Sequence, residues 1–141
     1  MRWSICCVLL MSAACASSWP NETFPEGIEL ERTLYADETR GVREGCVAMI
    51  GELTDSSRFR VGGRQDMSRE GWRATPLVLK PTEHLYAKAA LGGCNNDAKR
   101  PLGDLAAALQ RPGAYYKIVN GGEGLAVIVP RAKLAGWFYF G

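Results

Sequence analysis

The apolar positions of the chain fall into short blocks bounded by glycine and proline, and their spacing changes from block to block. The clearest block is 101–110. Pro101 suits a first helical position, and Leu102, Leu105, Ala106 and Leu109 make one stripe at helical spacing before Gln110-Arg111-Pro112-Gly113 stops it. After it the rhythm is that of strands. Tyr115 to Asn120 and Leu125 to Val129 are apolar runs on either side of Gly121-Gly122-Glu123-Gly124, which predicts a β-hairpin. Those glycines do not make a phosphate loop, because a β-branched strand follows them where that chemistry needs a helix N-terminus. Leu134 to Gly141, with Trp137, Phe138, Tyr139 and Phe140, predicts a last strand with a large area to bury.

The first half is less uniform. Residues 28–35 (IELERTLY) read as a half-buried strand. Val42, Cys46, Met49 and Leu53 stand at helical spacing, yet Cys46 to Leu53 also fits a strand buried on both faces. Gly41, Gly45 and Gly51 would each weaken a helix by about 1 kcal/mol relative to alanine, which favours the strand. Arg58-Phe59-Arg60-Val61 alternates polar with apolar and predicts a strand whose arginines share one face. Residues 62–75 are polar and glycine-bearing, a long loop, and Thr75 to Lys80 is a short strand bounded by Pro76 and Pro81. His84 to Leu91 suits a helix turn or one strand face equally. Asn95-Asn96-Asp97 is a turn, since one acid and two amides are too few for a calcium loop. These elements together predict an α+β fold: a mostly antiparallel sheet with one helix, 101–110, packed on it.

The N-terminus changes the picture. Arg2 precedes an apolar run from Ile5 to about Ala16, too short for a comfortable membrane helix, and Ala14-Cys15-Ala16 has the small-x-small form of a cleavage site. Residues 1–16 therefore read as an export signal, 17–27 as an irregular lead-in and 28–141 as a single globular domain. Ser12-Ala13-Ala14-Cys15 also offers Cys15 as a lipid-attachment residue, which would tether a soluble domain to a membrane. Hydrophobic residues at 47% and charged residues at 23% exclude global disorder. The expected compartment is the bacterial periplasm or envelope. There Cys46 and Cys94, the two cysteines left after the signal, form a disulfide most simply.

Charge is nearly balanced in total but not along the chain. Residues 22–55 carry nine acids against three bases, and residues 56–80 carry six bases against two acids. The candidate contact residues are accordingly Arg58, Arg60, Arg64, Arg69 and Arg73, with Trp72 flanked by two of them in the polar loop. A nucleic-acid footprint would bring a more basic domain, so no nucleic acid is expected. No spacing points to a metal or a cofactor. Cys46 with His84 as base has nothing to support it beyond the two residue types. These features predict an exported, non-catalytic binding module of the envelope (an inhibitor, an immunity-type protein or an accessory lipoprotein) that contacts a protein or envelope component. Two alternatives stand beside it. One is a small hydrolase working through carboxylates drawn from Glu44, Glu52, Asp55 and Glu83. The other is a structural assembly subunit using the aromatic C-terminus.

Overall fold

A computed structural model describes residues 19–40, 45–62, 67–81, 91, 92, 94 and 100–141. The fold is α+β. A six-stranded antiparallel sheet is built from β1 (Leu30–Arg40), β2 (Gly45–Leu53), β3 (Arg73–Ala74), β4 (Tyr115–Val119), β5 (Gly124–Val129) and β6 (Leu134–Phe140). Helices α1 (Asp55–Gly62) and α2 (Arg100–Leu109) accompany it among the described residues. The strand order is β1-β2-β6-β5-β4-β3. A β1–β2 hairpin thus joins a β4–β5–β6 meander where β2 pairs with β6, from Cys46 opposite Phe140 to Glu52 opposite Leu134.

The sheet is covered on both faces, which explains its central strands. All six residues of β5 (GLAVIV) are buried. Leu125, Val127 and Val129 face one side, where α2 packs with Leu102, Leu105 and Leu109. Ala126 and Ile128 face the other, under Phe24, Val61, Met67 and Trp72. A strand buried on both faces reads as a continuous apolar run. β6 does the same with Leu134, Ala135 and Phe138, and Gly136 lies against Leu105 of α2. A Cβ there would stand 2.7 Å from Leu105 Cδ1 and 2.8 Å from Phe138 Cε2, so a larger residue would force these side chains to shift.

The helix read at 101–110 is α2, shifted by one residue, and the hairpin and last strand are β4–β5 and β6. Three positive-φ residues, Asn120, Gly121 and Gly122, make the hairpin turn. The Cys46–Leu53 strand is β2. The strand read at 28–35 is β1, which begins at Leu30 and runs on to Arg40 with two register shifts against β2. β1 is an edge strand, and its charged residues and bulges are features that discourage pairing with other chains.

Two segments that the sequence predicts as strands are not strands. Residues 58–61 lie in α1: four alternating residues are too short to fix a period, and the Thr54 cap starts a helix instead. Residues 75–80 form no strand. Pro76 has no N–H to give to a ladder. The segment is held by separate bonds from Thr75 N–H to the Ala114 carbonyl, Leu77 N–H to the Leu109 carbonyl and Val78 N–H to the Tyr116 hydroxyl. Part of the predicted 62–75 loop is also ordered, as a 3-10 turn at Met67–Glu70 followed by β3. The export signal with Cys15, and the segments 84–90 and 95–97, lie outside the described residues. Leu91 packs on the α2 side of the core. No helix among the described residues is long and apolar enough to cross a membrane.

Candidate functional site

α1 begins where β2 ends. Thr54 caps it, its hydroxyl oxygen accepting the Ser57 N–H at 3.3 Å while its carbonyl accepts the Arg58 N–H at 3.0 Å. Ser57 is fully buried and ties the helix to the residues just before β1. Its hydroxyl accepts the Glu29 N–H at 2.7 Å and lies 2.8 Å from the Thr54 hydroxyl. Ser57→Ala leaves that N–H without its acceptor and is expected to cost about 1–2 kcal/mol in urea unfolding. Val61 is an apolar anchor of α1, fully buried against the sheet.

This helix rearranges the predicted contact residues. In a strand Arg58 and Arg60 would share a face. In a helix two residues subtend about 200°, so the side chains diverge. Arg60 is exposed and its guanidinium lies over Gly27, whereas Arg58 is half-buried. Arg69 is exposed on the Met67–Glu70 turn, above the buried Met67. Trp72 points inward. It is 2% exposed, with its ring centroid 5.8 Å from that of Phe24, on which Trp19 stacks at 4.8 Å. Arg73 points to the opposite face of the sheet, because β3 pairs Arg73 with Tyr116. Its guanidinium stands 5.8 Å from the Tyr116 ring centroid. The structure therefore brings Arg60 and Arg69 out on one layer and separates Trp72 and Arg73 from them. Arg64 lies outside the described residues.

Cys46 and Cys94 are disulfide-bonded, with Cα atoms 5.5 Å apart, so the Cys46 sulfur is not a free nucleophile. His84, Glu44 and Glu83 fall outside the described residues. The other two carboxylates considered for catalysis are ion-paired. Glu52 accepts from Arg32 Nε at 2.7 Å, and Asp55 meets Lys133 Nζ at 2.6 Å. Among the described residues no three His, Cys, Asp or Glu side chains gather as a metal site requires.

The Asp55–Lys133 pair links α1 to the β5–β6 turn. The hydrogen bond from Lys133, and then its charge, hold the Asp55 carboxyl below its ordinary value of 3.8, while the same bond raises Lys133. The depressed Asp55 contributes stability above its unfolded pKa, and that contribution disappears as pH falls through the folded value. The raised Lys133 contributes below its unfolded pKa and stops contributing as pH rises through its folded value. Carboxyl NMR titration should place Asp55 below the ordinary aspartate range, and Lys133→Met should return it there. Both side chains are solvent-accessible, so salt should weaken the effect.

A hollow of about 360 Å³ lies on the other side of that turn, between the C-terminal end of α2 and residues 129–132. Its floor is made of small side chains, chiefly Ala107, Ala108, Ala114 and Ala132, and its charged members are Asp104, Arg111 and Arg131. Reading the sequence linearly does not find this feature, since its two walls are twenty residues apart and alanines carry no local signal.

No protein-family model, curated protein or solved structure matches the chain.

Proposed function

We propose that the protein is a non-catalytic binding module exported to the cell envelope, where it acts by contact with a protein or another envelope component. The observation that carries this reading is the layer formed by α1 and the Met67–Glu70 turn. Val61, Met67 and Trp72 fix its underside to the sheet, none more than 3% exposed, while Arg60 and Arg69 stand on its outer surface. Guanidiniums carried on an anchored layer offer an anionic partner a preformed surface, so less ordering is needed on binding. Export rests on the leader at 1–16, and Cys15 is the residue through which a lipid would hold the domain at a membrane.

The test uses the exported protein as bait in an envelope extract. Arg58→Gln, Arg60→Gln and Arg69→Gln combined should reduce recovery of the captured component and leave the melting midpoint within a few degrees of the parent. Undiminished capture by the folded triple variant would reject this layer as the contact surface.

A further inference from the structure

The hollow beside α2 has charged residues at its edges and alanines between them, and it lies apart from the arginine layer. Asp104, Ala107, Ala108 and Arg111 recur at helical spacing on one face. The N–H groups of Gln110 and Arg111 bond back to the carbonyls of Ala107 and Ala108, so the turn continues past Leu109. Asp104 and Arg111 therefore stand about 10 Å apart along the helix axis, with two alanines between them. The facing wall adds a second cation. β4 and β5 pair Tyr115 with Ile128, and this register carries the Pro112 end of the preceding loop toward Arg131. The result is a shallow trough, acidic at one end and doubly basic at the other, with an alanine floor.

Four carbonyls at the end of the helix already have donors other than the arginine side chains. The carbonyls of Ala107 and Ala108 are bonded as above, that of Leu109 accepts the Leu77 N–H at 2.7 Å, and that of Arg111 accepts the Thr75 hydroxyl at 2.6 Å. Neither Arg111 nor Arg131 has an ion-pair partner among the described residues, and both are exposed. Both line the trough, and a guanidinium carries its donors in a fork that suits a carboxylate. The volume falls at the small end of ligand pockets.

We propose that this trough binds a short peptide of small residues with both termini free, its ammonium group toward Asp104 and its carboxylate between Arg111 and Arg131. An extended tripeptide spans about 10 Å, which matches the separation of the charged ends. The alanine floor leaves room for methyl-sized side chains and none is long enough to fill the trough itself.

Trialanine is the probe, followed by amide chemical shifts of the full protein, with N-acetyl-trialanine and trialanine amide as the blocked forms. Trialanine should give saturable shifts at Ala108, Gly113 and Ala132, and each blocked peptide should bind about tenfold more weakly, the effect of losing one charge-assisted contact. Asp104→Asn should abolish the preference for the free over the acetylated N-terminus, and Arg131→Gln should reduce that for the free carboxylate over the amide. Equal binding of the free and blocked peptides, or no saturable shift at millimolar trialanine, would overturn the proposal. Neither result bears on capture through the arginine layer, which the triple variant tests separately.

Discussion

Removing the Cys46–Cys94 bridge is expected to lower the stability of the domain by about 4 kcal/mol, the chain-entropy value for a loop of this length. The two cysteines are 48 positions apart, and their Cα atoms stand at 5.5 Å, within the ordinary range for a bridge. The site amplifies the effect of the link. Cys46 is 4% exposed at the start of β2, where it pairs with Thr39 of β1 and Phe140 of β6. The bridge therefore fastens the segment leading into α2 to three adjacent strands at once. Unfolded, that long loop gains its freedom as soon as the link is cut. Reduced parent protein and a Cys46→Ala, Cys94→Ala variant should melt together, on the order of 15 °C below the oxidised protein. Coincident melting of oxidised and reduced protein would show that the bridge carries no stability.

The elements legible in the sequence are those in which one physical requirement dominates many residues. β5 and β6 must be apolar on both faces, so their runs stand out, and α2 needs a stripe of leucines toward one face of the sheet. α1 is hard to read because the period of RFRV is too short to decide between helix and strand. The better signal lay one turn earlier, in Thr54-Asp55-Ser56-Ser57, a run of residues that favour helix N-termini. The Thr75–Lys80 segment has the apolar content of a strand, and its proline removes the ladder donor. The face on which an arginine emerges depends on the element that carries it, so a helix at 55–62 turns Arg58 and Arg60 apart where a strand would align them. The trough beside α2 was not legible at all. It forms from what alanines leave empty, between segments that only the β4–β5 and β5–β6 pairings bring together.

Trp72 shows why that distinction matters for experiment. In the sequence it looks like an aromatic anchor between two arginines, and truncating it is the obvious test of binding. In the structure it is 2% exposed, packed with Phe24, Val61 and Met67 beneath the arginine-bearing layer. Trp72→Ala should therefore destabilise the protein by about 3–5 kcal/mol, as the deletion of a buried aromatic ring does, and capture would fail through unfolding. The indole Nε1 has no hydrogen-bond partner among the described residues, so it contributes no bond that a smaller ring would lose. Trp72→Phe keeps most of the apolar contact and removes that unpaired donor, and is expected to stay within about 1.5 kcal/mol of the parent. Urea unfolding of the two variants separates the roles. A core residue gives a large loss for alanine and a small one for phenylalanine, with capture retained by the phenylalanine protein. If alanine were tolerated in urea while both variants lost capture, Trp72 would belong to the contact surface, and the layer would have to open to present it.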